Sequence, residues 1–384
     1  MTHPAIRVVH VSAYYAPAFR YGGPPRSIHG LCLALHQRGT DVQVLTTDAD
    51  GTDVLPPSVT ATGSYEGVPV RYCPRTWPAS PIGSRTLRAA LRSALPSSTV
   101  VHIHGMWNRV TWSAAREARA AKRPYLVSPR GMLQQGSLAH HAWRKRAAFA
   151  VLERGVLANA ALIHATSVEE AAAIEDLKLG PPVVVIPNGV AVNRQVAGRA
   201  DGAPFTVVFV GRLHPIKRLD VLIDAFVTLR AQVPQARLAV AGPDEAGLRP
   251  SLDARAGSAA EAITWHGAVS AAQRDALLAS AGALVLCSDS ESFGMSVVEA
   301  MAAGTPVVVT TSCGWREIEQ HQTGVRVAQD SSEIATALLR IAGNPAAARA
   351  MGSRGRALVE SRYTWPRVAD AFVAEYERLS GVRL

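Results

Sequence analysis

Short apolar runs alternate with helical patterns along the whole chain. Most of these runs are continuous and rich in Val and Ile, which is typical of strands buried on both faces of a parallel sheet. The order strand, helix, strand repeats about six times in each half, and it predicts an α/β protein with two doubly wound, Rossmann-like sheets. The predicted strands are AIRVVHVSA, DVQVLTT, TVVHIHG, PYLVSPR, ALIHATS and PVVVIPNG in the first half, and FTVVFVG, ARLAVAG, AITWHGA, ALVLCSD, TPVVVTT and GVRVA in the second.

The chain length of 384 residues also favours two domains, because single cores stop growing at about 250–300 residues. Residues 190–204 (VAVNRQVAGRADGAP) show no periodicity and form the predicted linker. We expect a first domain over 1–195 and a second over 203–365. An amphipathic helix, over about 366–384, is left after the last predicted strand.

The composition is 48% hydrophobic and 18% charged, which provides material for two cores. No apolar run reaches the roughly 18 residues of a membrane-spanning helix, and the first residues lack the pattern of a secretion signal. Four scattered cysteines form no CxxC pair, so we expect reduced, structural thiols in a cytoplasmic protein. They are Cys32, Cys73, Cys287 and Cys313.

The net positive charge is confined to the first half. Residues 1–195 contain 21 Lys and Arg against 11 Asp and Glu, whereas the remainder contains 19 of each. The first half therefore either meets an anionic surface, such as the inner face of the cell membrane, or carries a solvated basic face. Nucleic acid is not expected, because no aromatic and basic stacking platform is present. The helical segment 137–157 concentrates the charge through His140, His141, Trp143, Arg144, Lys145 and Arg146.

The stretch SDSESFGMSVVEAMAAG, residues 288–304, places two carboxylates around a glycine. Glu291 is predicted in the loop after a strand, and Glu299 about one turn into a helix that ends at Gly304. A helix N-terminus attracts anions, and carboxylates accept from hydroxyl groups. A ligand with both phosphate and sugar fits this pattern, and so does an ordinary helix start with an acidic first turn. The N–H groups expected to face an anion belong to Phe293, Gly294, Met295 and Ser296.

Two further segments place phosphate-binding groups near predicted strand ends. VGRLHPIK brings Arg212 and Lys217 to the carboxyl end of a strand, where two cations suit a diphosphate. In the first half, Gly22 and Gly23 precede a helix, and they either bring N–H groups onto a phosphate or form a flexible turn. Neither GxxxxGK[ST] nor GxGxxG is present, which argues against a P-loop protein and a nicotinamide dehydrogenase.

Two other patterns are partial matches to metal sites. His102 and His104 lie on one face of a predicted strand, but no third ligand is apparent nearby. His104, at the strand end, is expected to hold a substrate hydroxyl or phosphate. Asp48 and Asp50 form a DxD pair, which the surrounding turn residues explain without a metal. We therefore expect no metal ligands.

Together these segments resemble glycosyltransferase family 4, whose members have the two-domain GT-B fold. The similarity covers nearly the whole chain, and SPRGML with HATS is similar to the subgroup common in bacterial surface-polysaccharide clusters. The resemblance implies a retaining transfer of a hexose from a UDP- or GDP-linked sugar to a glycan or polyprenyl-linked acceptor, with no metal or other cofactor. The matching segments are GGPPRS, HIHG, SPRGML, HATS, VIPNGV, VGRLHPIKRLDVLIDAF, AGPDE, HGAVS and ESFGMSVVEAMAAGTPVV.

The resemblance also implies roles in a donor site of the second domain. Glu299 would accept from the ribose hydroxyls, and Glu291 would hold the 3- or 4-hydroxyl of the transferred sugar. Backbone groups of residues 293–296 would meet the sugar and the phosphates. Arg212 and Lys217 would neutralise the diphosphate as it leaves. The residues implied in the base pocket, mostly through their backbone, are Pro243, His266 and Val269.

The first domain would bind the acceptor and complete the donor site. Gly23, beside Gly22, would donate an N–H to the diphosphate from across a cleft between the domains, and His104 would bind the 6-hydroxyl of the sugar. Arg130 in SPRGM is a candidate for an acceptor phosphate. The final helix, around Trp365, would cross back to the first domain.

Two other functions share this pattern, a GT-B-shaped sugar-nucleotide epimerase and a non-catalytic nucleotide-sugar-binding protein. Donor turnover without an acceptor would favour the epimerase, and failure to bind any nucleotide would favour a scaffold. Retaining hydrolases use two carboxyl groups about 5 Å apart, and the sequence shows no such pair near His104. The resemblance implies instead that the leaving diphosphate helps to deprotonate the incoming hydroxyl.

Overall fold

The structure is a computed structural model that describes residues 6–76, 81–133, 149–192, 199–200 and 202–381. The chain divides into two units: Met1–Gly189 with Trp365–Leu384 form unit 1, and Val190–Thr364 form unit 2. Val190, at the start of the predicted linker, is buried in unit 2, where its N–H donates to the carbonyl of Tyr363 at 2.7 Å.

The strands of unit 1 are β1 (Arg7–Ser12), β2 (Asp41–Thr47), β3 (Ala49–Asp50), β4 (Asp53–Val54), β5 (Ser64–Tyr65), β6 (Val68–Cys73), β7 (Thr99–His104), β8 (Tyr125–Ser128), β9 (Leu162–Ala165) and β10 (Val183–Val185). Eight of them form one sheet in the order β10-β9-β8-β7-β1-β2-β6-β5. Neighbours are parallel except β5, which is antiparallel to β6. β3 and β4 form a separate hairpin.

Helices lie between these strands in the chain. They are α1 (Gly23–Gln37), α2 (Pro57–Thr60), α3 (Arg85–Ser93), α4 (Arg109–Ala120), α5 (Arg154–Ala158) and α6 (Val168–Glu175), with a 3-10 turn at Phe19–Tyr21 and a π-helical turn at Phe149–Glu153. Side chains cap the N-termini of several of these helices. Ser84, Asn108 and Ser167 each accept from a backbone N–H of the first turn of the helix that follows them.

Unit 2 contains one six-stranded parallel sheet. Its strands are β11 (Thr206–Val210), β12 (Arg237–Ala241), β13 (Ile263–Gly267), β14 (Ala283–Leu286), β15 (Val307–Thr310) and β16 (Gly324–Val327), in the order β13-β12-β11-β14-β15-β16. Its helices are α7 (Leu219–Gln232), α8 (Arg249–Ala256), α9 (Ala271–Ser280), α10 (Met295–Ala302), α11 (Glu317–Gln320), α12 (Ser331–Gly343) and α13 (Pro345–Arg362). Short 3-10 turns cover Pro215–Lys217, Gly257–Ala262 and Thr311–Cys313.

All twelve predicted strands are present, and the two doubly wound sheets are confirmed. The sequence analysis missed β3, β4, β5 and β6. Strand β6 alternates between buried and exposed positions at its start and contains Pro69, so it lacks the continuous apolar run that marks the other strands. Its place next to the edge strand β5 explains why one face of it is partly solvated.

The strand order reverses once in each main sheet. In unit 1 the chain moves outward from β1 and then resumes with β7 on the other side of β1; in unit 2 the same happens at β11 and β14. Loops that leave the carboxyl ends of two such strands diverge, and the crevice between them is where doubly wound sheets bind ligands. We call these two places the switch point of unit 1 and the switch point of unit 2.

The last helix, α14 (Trp365–Ser380), belongs to unit 1. Phe372 and Tyr376 of α14 are buried in one cluster with apolar residues of α1 and of the sheet. The ring of Trp365 lies directly against Gly30 of α1 and against Gly189. The predicted return of the final helix to the first domain is therefore confirmed.

We expect Gly30→Ala to destabilise unit 1, because a Cβ at this position would overlap the ring of Trp365. Overpacking a filled site costs about 1–3 kcal/mol. Gly155→Ala is the matched control, since Gly155 is also helical and nothing lies within 4 Å of its Cβ. That control should raise the free energy of unfolding by up to about 1 kcal/mol. Urea unfolding followed by circular dichroism measures both, and an equal response would contradict the packing of Trp365 on α1.

Candidate functional site

The switch point of unit 2 joins two loops that the sequence analysis singled out. Residues 211–218 follow β11, and residues 287–294 follow β14. The N–H of Asp289 donates to the carbonyl of Ile216 at 2.8 Å, which ties the loops together. The cations of the first loop and the carboxylate of the second therefore lie at the same edge of the sheet.

Lys217 and Glu291 form an ion pair at this edge. Nζ of Lys217 donates to Oε1 of Glu291, and Oγ of Ser288 donates to the same oxygen at 2.9 Å. The lysine side chain is 21% exposed and the glutamate side chain 12%, so each charge is compensated by the other in a shielded place. The sequence analysis assigned the two residues to separate parts of a ligand and did not predict that they pair.

Two arginines extend the positive charge. Arg212 is 44% exposed, and its guanidinium lies 3.4 Å from the carboxylate of Glu245. Arg218, which the sequence analysis missed, donates to Asp220 at 3.0 Å and to Asp289 at 3.2 Å, and these contacts raise its pKa. An arginine two residues before an aspartate at a helix start is too common to mark a site from sequence.

Helix α10 begins at Met295, as predicted, and Gly294 precedes it. Gly294 has φ 74°, and a Cβ there would lie 3.1 Å from Nε1 of Trp315, so both backbone conformation and space favour glycine. The same Nε1 donates to the carbonyl of Phe293 at 2.5 Å, which positions the loop. Ser296 lies in the first turn, where the N–H of Val297 donates to the carbonyl of Gly294 at 2.9 Å, and the positive end of the helix favours an anion.

Glu299 lies about one turn into α10, as predicted, and forms an ion pair with Arg274 of α9. NH1 of Arg274 is 3.2 Å from Oε1 of Glu299, and the two side chains are 16% and 13% exposed. Arg274 was missed by the sequence analysis, because its position on a polar helix face carries no signal until α9 and α10 are placed side by side.

A cavity of about 330 Å³ lies beside α9. His266 and Val269, both predicted in a base pocket, are among the residues that line it. Pro243 follows β12, where its carbonyl accepts from the N–H of Leu213 at 2.9 Å. The lining residues are His266, Val269, Gln273, Ala276, Leu277 and Ser280.

In unit 1, buried polar residues form a hydrogen-bond chain whose direction is determined. The carbonyl of Ile186 only accepts, so Nε2 of His164 donates to it at 2.7 Å, and Nδ1 of that ring accepts from Ser128 at 2.7 Å. Ser128 in turn accepts from Nε2 of His102 at 2.7 Å, and Nδ1 of His102 accepts from the hydroxyl of Tyr376 at 2.8 Å. This hydrogen-bond chain links three strands to α14, and both of its imidazoles are neutral.

A second chain runs through His104, which is 1% exposed. Arg130 donates to Nδ1 of His104 at 3.2 Å, so Nε2 carries the proton and donates to Nδ1 of His10 at 2.9 Å. No described residue accepts from Nε2 of His10. Both ring nitrogens of His104 are thus engaged within unit 1, and its predicted contact with a substrate hydroxyl stays a prediction.

The sequence analysis found no third metal ligand near His102 and His104, and this expectation is wrong, because His10 lies beside them. His10 pairs with His102 in the β1–β7 register, and ligand atoms of His10, His102 and His104 lie within 4.8 Å of one another. The lone pairs at Nδ1 of all three rings accept from N–H or O–H donors, and the Arg130 cation is adjacent. A metal needs those lone pairs, so this arrangement favours a hydrogen-bonded core over a metal centre.

Burial controls the charge of this cluster. It lowers the pKa of His10 and of His164 to about 3, with a further contribution from the Arg130 cation. The pKa values of His102 and His104 are also well below the ordinary value of 6.5, chiefly because of burial. The rings are therefore neutral at physiological pH.

Arg130 is a buried cation of unit 1. It is 9% exposed, has φ 54°, and donates to Ser27 and Asn188 at 3.1 Å each. Burial lowers its pKa to about 10, so it stays charged at neutral pH, and the carboxylate of Glu170 opposes this shift. Its expected contact with an acceptor phosphate stays a prediction.

The glycine pair of the first half lies at a helix start, as predicted. Gly22 has φ 84° and is the residue before α1, and a Cβ on Gly23 would meet nothing within 4 Å. In the preceding loop, the rings of Tyr14 and Tyr21 stack with centroids 4.0 Å apart. A phosphate contact at Gly23 stays a prediction.

The DxD pair contacts residues that are distant in sequence. Oδ1 of Asp48 accepts from the backbone N–H of Arg75 at 2.9 Å. Asp50 lies 3.6 Å from the guanidinium of Arg20. Asp50 lies in β3, and these contacts join the pair to distant residues, so the predicted turn role stays a prediction.

Glu153 is a buried carboxyl group that the sequence analysis missed. It ends the π-helical turn, and its Oε1 accepts from the backbone N–H of Trp107 at 2.6 Å and from Nε1 of Trp112 at 2.7 Å. No described residue donates to its Oε2, and burial raises its pKa. Because Trp107 has φ 64°, Glu153 holds a strained loop three residues after His104.

The cluster from His140 to Arg146, predicted to form either a membrane-facing or a solvated basic face, lies outside the described residues. Within the described part of the chain, every helix is too short or too polar to cross a bilayer.

Two family models match the chain. "Glycosyl transferase 4-like domain" matches residues 22–189, and "Glycosyl transferases group 1" matches residues 204–344. The D-inositol 3-phosphate glycosyltransferase of Actinosynnema mirum is 30% identical over 98% of this chain and 97% of its own length. The phosphatidyl-myo-inositol mannosyltransferase of Mycobacterium tuberculosis is 33% identical over 53% of this chain and 56% of its own length.

Solved structures share the fold at low identity. HepE of Anabaena in complex with UDP and glucose has a TM-score of 0.74 at 19% identity, covering 97% of this chain and 100% of its own. Sucrose-phosphate synthase of Thermosynechococcus elongatus has a TM-score of 0.76 at 21% identity, covering 98% of this chain and 99% of its own.

We expect unit 1 to lose stability as the pH falls below about 6.5, because its buried histidines bind fewer protons folded than unfolded. For His10 and His164, whose pKa falls from 6.5 to about 3 on folding, the free energy of unfolding should fall by about 1.4 kcal/mol per pH unit each. Urea unfolding at pH 7.5, 6.5 and 5.5 measures this slope. His164→Asn cannot titrate and should show a shallower slope; identical slopes would contradict a buried, neutral His164.

Proposed function

Because the chain belongs to the glycosyltransferases of the GT-B type, we propose that it is a retaining enzyme of family 4. It moves a hexose from a UDP- or GDP-linked sugar to a hydroxyl of a glycan or lipid-linked acceptor. The observation that carries this proposal is the placement of Lys217, Glu291 and Glu299 around the N-terminus of α10, at the switch point of unit 2. Surface-polysaccharide synthesis is the proposed setting.

Each part of a sugar nucleotide has a matching group in unit 2. The first-turn N–H groups of α10 and the two cations Arg212 and Lys217 suit the diphosphate. Glu299 and Glu291 accept from the ribose and hexose hydroxyls, respectively. The cavity beside α9, lined by His266 and Val269, takes the base.

In the proposed transfer, the diphosphate leaves and the acceptor oxygen attacks on the same face of the sugar. The bond from the anomeric carbon to the diphosphate breaks, the acceptor oxygen bonds to that carbon, and the acceptor proton moves to an oxygen of the leaving diphosphate. The main task of the protein is then to stabilise the charge that develops on the diphosphate. In this proposal Lys217 and the helix start at Gly294 stabilise that charge, and no metal is required.

The relatives support a nucleotide-sugar donor without naming it for this chain. The Anabaena relative carries UDP and glucose, and two sequence relatives are named for transfer to inositol phosphate or phosphatidylinositol. A phosphorylated or lipid-linked acceptor is consistent with the excess of positive charge in residues 1–195.

We expect one nucleotide among UDP, GDP, ADP, dTDP and CMP to raise the melting temperature, with and without EDTA. A ligand at 100 times its Kd adds about 2.7 kcal/mol to the free energy of unfolding. Glu299→Ala should abolish the shift, whereas Glu261→Ala, which removes a glutamate paired with Arg230 elsewhere in unit 2, should not. No shift with any of the five would refute the donor site, and a shift lost with EDTA would refute the metal-free proposal.

We expect Lys217→Ala to lower kcat by about 10²–10³, the loss typical of removing one preorganised donor to a developing charge. Initial rates with the stabilising nucleotide's sugar derivative measure this, and Lys217→Arg should recover part of the loss. Arg230→Ala removes a cation from an ion pair outside the site and serves as the control. Near-native turnover of Lys217→Ala would exclude this lysine from catalysis.

A further inference from the structure

Arg274 forms two ion pairs, one of which is with the proposed ribose carboxylate, Glu299. Its NH1 lies 3.2 Å from Oε1 of Glu299, and its NH2 donates to Oδ1 of Asp275 at 3.3 Å. With 16% of its side chain exposed, the guanidinium is largely shielded from water. A shielded cation held between two carboxylates keeps one orientation, and it imposes an orientation on its partners.

The fold determines where this arginine sits. Ser270 and Gln273 form a reciprocal capping box that starts α9, and the N–H of Arg274 donates to the carbonyl of Ser270 at 2.9 Å. At the other end of the helix Leu278 is buried. The start and the buried end of α9 therefore leave Arg274 little freedom to move along the helix axis.

Glu299 is equally constrained by its own helix. Of the eight residues of α10, Val297, Val298, Ala300 and Met301 are fully buried. The backbone of α10 is thus anchored in the core, and only the side-chain dihedral angles of Glu299 decide where its oxygens lie. The contact with Arg274 restricts those angles.

Arg274 lies on α9, four of whose residues line the base cavity. Nε of Arg274 is buried, and no described residue accepts from it. Gln273, Ala276 and Leu277, its neighbours on α9, line the cavity of about 330 Å³. An unused donor on the arginine that orients Glu299, on the helix that lines the cavity, points to a role in nucleoside recognition rather than in stability alone.

We propose that Arg274 is the positioning residue that makes the donor site selective for ribose over deoxyribose, by orienting the carboxylate of Glu299 toward the ribose hydroxyls. This inference rests on the proposed function. A hydrogen bond from a hydroxyl to a held carboxylate is among the stronger protein hydrogen bonds, and a site built for it rejects an analogue that lacks the hydroxyl. Without Arg274, Glu299 keeps its charge but loses the contact that aims its carboxylate, so binding weakens mainly for ligands that carry the hydroxyls.

The test measures Kd for UDP, GDP, ADP and CDP on the full chain by calorimetry, followed by the 2′-deoxy and 3′-deoxy forms of the tightest one. In the wild type, removal of the hydroxyl that meets Glu299 should weaken binding about 10–100-fold. In Arg274→Met that ratio should fall to about threefold or less, and Arg274→Lys should restore part of it. Glu299→Gln should also lower this ratio. The double variant, with Arg274→Met and Glu299→Gln, should lower it no further than either single change.

Arg255→Met is the matched control, because Arg255 forms an ion pair with Asp224 elsewhere in unit 2 and should leave the ratio unchanged. A purely structural arginine would weaken ribose and deoxyribose ligands equally in Arg274→Met, and that result overturns the inference. An unchanged ratio in Arg274→Met overturns it as well, while leaving the proposed function intact. If the wild type binds none of the four diphosphates, the proposed function itself fails.

Discussion

The candidate donor site depends on one topological constraint, the single reversal of strand order between β11 and β14. Parallel strands require crossover connections, so their loops emerge at one edge of the sheet, and neighbouring loops diverge only where the order reverses. Lys217 and Glu291 come from the two loops that diverge there, although 73 positions lie between them. The N-terminus of α10 opens at the same place, which adds a positive end to a space already bordered by charged side chains.

Charge pairing then decides the geometry of the site. Lys217 pairs with Glu291, Arg274 pairs with Glu299, and Arg212 lies near Glu245. Shielded ion pairs add little net stability, because desolvation offsets their attraction. They do restrict side chains that would otherwise occupy many rotamers, and a binding site gains from such preorganisation. Unit 2 thus presents paired charged groups at the edge of its sheet where the strand order reverses.

Unit 1 uses buried hydrogen bonds in the same way. The carbonyl of Ile186 fixes the direction of a chain that ends at Tyr376, and Arg130 fixes the direction of the chain through His104. Because burial keeps the imidazoles neutral, His102 and His104 each donate once and accept once, and the sheet and α14 share a single consistent proton arrangement.

The amino-acid sequence by itself determined the two α/β sheets, their twelve main strands, the start of α10 at Met295 and the positions of Glu291 and Glu299. Continuous apolar runs and the residues that start and end helices are local properties of the chain, so they can be recognised without the tertiary structure. It did not reveal β6, whose alternating pattern follows from a place near the sheet edge. The partners of the charged and buried polar groups were decided only by the tertiary structure. Arg274 meets Glu299, and His10 meets His104, across strands and helices that are distant in sequence, so no local pattern records these contacts.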